Sequence, residues 1–167
     1  WGFSTPILDD NLGKISNIQP AFVQRKDGTI VAYMRDNGLP KRVRTATSSD
    51  LGATWSNVDS MDIWNSGASV DAVALESGRW ALVCNDVSDG RHRLTVFLSD
   101  DEGLTWPVKR TLENEPAKDD GSFSYPSMLQ AKDGAIHVTY SHKRKEIKGS
   151  AIKHVRFNEA WVAAGAE

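Results

Sequence analysis

The sequence predicts an all-β fold built from four-stranded antiparallel blades of the β-propeller kind, and two interleaved repeats predict it. The first is a box, Ser-x-Asp-x-Gly-x-Thr-Trp. It occupies Ser48, Asp50, Gly52, Thr54 and Trp55, and again Ser99, Asp101, Gly103, Thr105 and Trp106, fifty-one residues later. The second is a strand, tight turn, strand pattern in "QPAFVQRKDGTIVAYMRD", "VDAVALESGRWALVCND" and "YPSMLQAKDGAIHVTYSH", with turn glycines at Gly28, Gly78 and Gly134. A period of about fifty residues holding two hairpins is the unit of a propeller blade.

Each element has a local reason. The stretches "RVRTATS" and "RLTVFLS" alternate as strands do and lead into the two boxes. The box reads as a turn, because Asp bonds its own backbone and Gly supplies a positive φ. Thr and Trp then open the next strand, with the indole packing back over the hairpin. A third box is due near residue 150, where "AIKHVRFNEAW" keeps the strand and loses the box. The expected blades are 15–60, 66–112 and 121–160. A closed propeller takes about 4–8 blades. Three blades therefore imply part of a longer propeller, or half of a six-bladed ring closed by a homodimer.

Composition narrows the function. At 167 residues the chain is long enough for one sizeable core, and a net charge of −2 gives no footprint for nucleic acid. No run of eighteen apolar residues is present to span a membrane. The chain opens on Trp1 rather than Met, so the lack of a signal segment carries no information. One cysteine, Cys84, excludes an internal disulfide and sits in "WALVC", the setting of a buried, inert thiol. No His, Cys and Asp spacing reads as a metal site. The basic run "HKRKEIK" at 142–148 reads as a solvated loop.

Boxes of this kind on fifty-residue blades resemble the sialidase (neuraminidase) superfamily of Asp-box, or BNR-repeat, propellers. The more specific resemblance lies between the boxes. "IQPAFVQRKDGTIVAYMR" places Arg35 on the second of the family's three carboxylate-binding arginines, and "GRHRLTVFLSD" places Arg91 on the third, with Arg93 the alternative. "FSYPSMLQAKDGAIHVTY" puts Tyr125 on the family's tyrosine nucleophile. Gln19 stands where the family has the glutamate that assists the tyrosine. The matched segments correspond to the C-terminal half of the family's catalytic propeller, and no segment here matches the first arginine or the catalytic aspartate. The resemblance implies an exo-α-sialidase type of glycoside hydrolase with an acidic carbohydrate as partner, no cofactor, and a secreted or periplasmic location.

Blade geometry gives an independent reading. Strand starts and the ends of second strands share one face of a ring. That face should collect Gln19, Asp71 and Tyr125, then Arg35, Asp36, Asn85, Asp86 and His142, with Arg91, His92 and Arg144 from loops. Converging polar groups suit a sugar site. Arginine suits a carboxylate because its planar fork donates two parallel hydrogen bonds and stays charged. We therefore expect Arg35, Arg91, Asp71 and Asn85 to bind substrate, with Tyr125 and Gln19 at the chemistry. A phenol with pKa near 10 needs help to attack at neutral pH, and an amide cannot take its proton. Two other readings stay open: a polysaccharide lyase acting on uronic acids, with Tyr125 and His137 or His142, and a non-catalytic carbohydrate-binding or assembly module. His137 itself alternates within "AIHVTY" and points to the axis or into blade packing.

Overall fold

The computed structural model describes residues 2–8, 16–146 and 148–165. Among these described residues eleven strands form three antiparallel sheets. Sheet I is β1 (Asn17–Gln24), β2 (Ile30–Asp36), β3 (Arg42–Ser48) and β4 (Asp59–Trp64), in that order. Sheet II is β5 (Asp71–Ala74), β6 (Trp80–Cys84), β7 (Arg93–Ser99) and β8 (Val108–Asn114). Sheet III is β9 (Gly121–Gln130), β10 (Ile136–Arg144) and β11 (Ala151–Phe157). The expected fourth strand of this last unit is replaced by a short helix, α1 (Glu159–Ala163). Its N-cap is Asn158, whose side chain accepts from the Trp161 amide. Without a box there is no turn to send the chain back along β11, and a capped helix starts instead.

The three hairpin turns are the same turn repeated. Gly28, Gly78 and Gly134 take φ of 93°, 89° and 82°. Their amides bond the carbonyls of Arg25, Leu75 and Ala131 at 3.0, 2.9 and 2.9 Å. That left-handed conformation is why glycine recurs there.

Sheet II is buried on both faces, and its strand β6 reads as the unbroken apolar run "WALVC" for that reason. Alternation divides the strand. Trp80, Leu82 and Cys84 pack toward Tyr33, Val31 and Val43 of sheet I. Ala81 and Val83, with Leu94, Val96 and Leu98, pack toward Ile136, Val138 and Tyr140 of sheet III. The Cys84 thiol is fully buried, and burial pushes its pKa well up, as an inert core cysteine requires. The outer face of sheet I (Ala32, Met34, Ala46) is covered by Ile7, Trp55 and Val58. Three sheets stacked in sequence order are consistent with part of a β-propeller.

A buried carboxylate fastens sheet II to sheet III. Glu113 of β8, 5% exposed, accepts from the Tyr140 hydroxyl at 2.5 Å and from Lys153, with Arg144 at 3.3 Å. Burial pushes its pKa up, but Lys153 and Tyr140 outweigh burial and hold it below the usual value.

Candidate functional site

Two prolines build the site. Gln19 precedes Pro20 in β1, and Tyr125 precedes Pro126 in β9. Proline has no N–H for the ladder, and the register slips at both places, between Ile18 and Ala21 and opposite Thr139 and Ser141. Each bulge leaves the residue before proline at positive φ, 52° for Gln19 and 53° for Tyr125. A non-glycine residue there stores about 1–3 kcal/mol of strain, which the surrounding sheet has to hold. The bulges turn both side chains out of the ladder, and both are exposed.

Arg35 stands at the end of β2 beside Ile18, and its Nη1 donates to Gln19 Oε1 at 2.7 Å. Its Nε is buried without an acceptor among the described residues. Arg91 lies in the β6–β7 loop, which β9 holds in place: its carbonyl accepts from the Phe123 amide at 2.8 Å, and it bridges Ser122. From there the Arg91 guanidinium sits 5.2 Å from the centre of the Tyr125 ring. Hydrogen bonding from Arg91, then from Arg35, together with their charges, holds the Tyr125 phenol below its usual pKa. Residues from all three sheets therefore meet: Gln19 and Arg35 from sheet I, Arg91 from sheet II, Tyr125 from sheet III.

Other residues expected on this face are spent on structure. Asn85 is fully buried, and its Nδ2 donates to the carbonyls of Arg93 and Phe123, both at 2.7 Å, with the Arg91 carbonyl at 3.4 Å. It lies beneath the Arg91 loop, out of a ligand's reach. Asp71 lies two positions past the strand start equivalent to Gln19; its Oδ2 accepts from the Met128 amide at 2.7 Å and clips β5 to β9. Asp36 is fully buried and closes the turn after β2 through the Gly38 amide at 2.7 Å. Asp86 pairs with Lys109 at 3.0 Å, and Arg93 turns to Asn114 at 3.1 Å. His142 is buried against Phe123 with Glu113 nearby. His137 stacks on His154, its Nδ1 2.9 Å from His154 Nε2. Among the described residues, no group of three or more His, Cys, Asp and Glu is placed to hold a metal ion.

The sequence reading missed Ser69. Nine positions before the turn glycines stand Gln19, Ser69 and Tyr125. The register was readable, but a serine there carries no chemical signal of its own.

Fold and site together define a class: a propeller-like stack of sheets with an arginine and tyrosine cluster at one end of the strands. The chain belongs to the BNR repeat-like domain family, whose model matches residues 4–138. It is similar to a sialidase of Micromonospora viridifaciens, 26% identical over 150 residues, which are 84% of this chain and 21% of that protein. Among solved structures it is similar to the intramolecular trans-sialidase of leech, with a TM-score of 0.77 at 18% identity, covering 96% of this chain and 26% of that one. An α-L-arabinofuranosidase from Fusarium graminearum gives 0.72 at 16%, covering 94% and 50%. These structural likenesses show the fold. With the family match and the curated sialidase, they place the chain in the sialidase and BNR-repeat superfamily. The chain spans about a fifth of the length of the curated relative and a quarter to a half of the two structures.

Proposed function

We propose that this chain carries the acidic-sugar end of a sialidase-like glycoside hydrolase propeller. Arg35 and Arg91 would bind the sugar carboxylate, and Tyr125 would be the nucleophile. The observation that supports it best is the meeting of two guanidiniums from separate sheets beside one exposed, bulge-mounted phenol. Guanidiniums next to the phenol do two jobs. They neutralise a carboxylate that would otherwise repel an incoming oxyanion, and they favour the phenolate. The reactive step is attack of the Tyr125 oxygen on the anomeric carbon as its proton passes to solvent, the aglycone oxygen taking up a proton and leaving as the alcohol; water then adds across the sugar–tyrosine bond, giving the free sugar and restoring the phenol. Gln19 cannot take the phenol proton, so acidity comes from Arg91 and Arg35. Closure of the ring would come from further blades or from a second copy of the chain.

A second reading, binding without turnover, is favoured by Gln19 itself, whose amide replaces a base with a neutral group. One assay separates the readings: the chain is mixed with the 4-methylumbelliferyl glycoside of N-acetylneuraminic acid while binding and fluorophore release are both followed. Release supports the hydrolase, and binding without release supports the module. An unsaturated, ultraviolet-absorbing product from a uronic-acid polymer would point to a lyase. Arg35→Ala and Arg91→Ala should each weaken binding roughly 10–100-fold, the value of a charge-assisted hydrogen bond. Unchanged binding in both would sink the proposal.

A further inference from the structure

Gln19, Ser69 and Tyr125 each stand nine positions before a turn glycine, Gln19 in β1, Tyr125 in β9 and Ser69 ahead of β5. Ser69 lies just before β5, 8% exposed, and its hydroxyl donates to Gln19 Oε1 at 3.0 Å. The same oxygen accepts from Arg35 Nη1 at 2.7 Å. A guanidinium has no acceptor, so the Gln19 atom facing it has to be the carbonyl oxygen, whichever way the amide is drawn. Arg35 and Ser69 fill the two lone pairs of that oxygen. The NH2 group is left with no partner among the described residues, on an exposed side chain that the bulge turns out of the ladder.

We infer that Ser69 is a positioning residue. With Arg35 it locks the Gln19 carboxamide oxygen-inward, so that position 19 meets a ligand as a hydrogen-bond donor. This rests on the acidic-sugar reading and narrows it. Arg35, Arg91 and the Gln19 NH2 are all donors. The ligand they fit carries a carboxylate with further acceptor oxygens beside it, such as ring or hydroxyl oxygens. A sugar with a free ammonium and no carboxylate presents a cation to the same donors and does not fit. The lock also means that Gln19 can meet the phenol only as a donor, because its one acceptor atom is already filled.

The test follows the side-chain amide signals of 15N-labelled chain during titration with N-acetylneuraminic acid, then with glucuronic acid. The Gln19 pair is assigned by its loss in Gln19→Glu. At saturation with the acid that binds, that pair should shift. Ser69→Ala should weaken binding about 5-fold, one neutral hydrogen bond's worth. Ser69→Thr, which keeps the hydroxyl, should restore it to within about twofold by the same arithmetic. In ligand-free Ser69→Ala the Gln19 pair should move toward free-glutamine positions while the β1 and β5 backbone amides stay put. Wild-type affinity in Ser69→Ala, or a Gln19 pair that stays still at saturation, overturns the inference. If the wild-type chain binds neither acid, the proposed function falls. The ligand-free Ser69→Ala spectrum then judges the lock alone, and an unmoved Gln19 pair overturns it.

Discussion

In the first Asp box the Ser48 hydroxyl donates to Asp50 at 2.8 Å and receives the Gly52 amide at 2.9 Å, while Asp50 accepts from Thr54 N and Oγ1 at 2.9 and 2.6 Å. In the second, the same four bonds among Ser99, Asp101, Gly103 and Thr105 measure 2.7, 2.9, 2.8 and 2.6 Å. The surroundings differ completely. The second box lies against sheet I: Glu102 accepts from Arg25 Nε and from the Lys26 amide, both at 3.2 Å, and Trp106 meets Tyr33 edge-on at 5.8 Å. Among the described residues no other sheet lies beside the first box, and the N-terminal segment crosses it, the Thr5 amide bonding the Ala53 carbonyl at 3.0 Å. A repeated motif thus conserves its internal bonds and takes its wider role from its neighbour. Between two sheets it becomes a spacer.

The largest consequence falls on the glycines. A Cβ at Gly103 would stand 2.1 Å from the Tyr33 hydroxyl and 2.8 Å from the Trp80 ring, besides the strain of φ 84°. Gly103→Ala combines overpacking with backbone strain and should cost about 3 kcal/mol, a fall in Tm of roughly 6–12 °C for a chain of this size. Calorimetry reads it. A fall no larger than that of Gly52→Ala would break the comparison.

Gly52→Ala should cost less. Its φ of 87° is equally unsuited to alanine, but the new methyl would meet only the Trp55 ring at 3.8 Å. Strain alone is about 1 kcal/mol, or roughly 2–4 °C. A cost equal to that of Gly103→Ala would mean that another surface packs on the first box in solution, as a second copy or a further blade would.

These contrasts mark what sequence could deliver. The period, the turn glycines and the box bonds are local, so a linear reading found them. It also singled out Arg35, Arg91, Tyr125 and Gln19, which the fold brings together. It could not foresee that Asn85 would be buried under a loop or that Asp71 would clip two sheets, because both depend on Phe123, Arg93 and Met128 from distant strands. The missing strand of sheet III was half legible. The lost box announced a change, but the helix depends on the Asn158 cap and on Val162 finding the core of sheets II and III.

The smallest effect probes what the boxes share. Hydrogen bonds from Thr54 and Ser48 lower the Asp50 pKa from 3.8 to about 2. At Asp101 burial pushes the pKa up, but the bonds from Thr105 and Ser99 together outweigh it, and the value again falls to about 2. A carboxylate depressed by folding stabilises the fold fully above its unfolded pKa, and the contribution drains away as pH falls through the folded one. Each box should therefore lose its share between pH 3.8 and about 2. Asn at either position keeps an acceptor and removes the titration. Asp50→Asn and Asp101→Asn should flatten the acid limb of stability against pH by equal amounts, even though Gly52→Ala and Gly103→Ala differ. Denaturant melts across that window measure both slopes. If only Asp101→Asn flattened the curve, the neighbouring sheet would be governing the charge as well as the packing, and the separation between internal bonds and external role would fail.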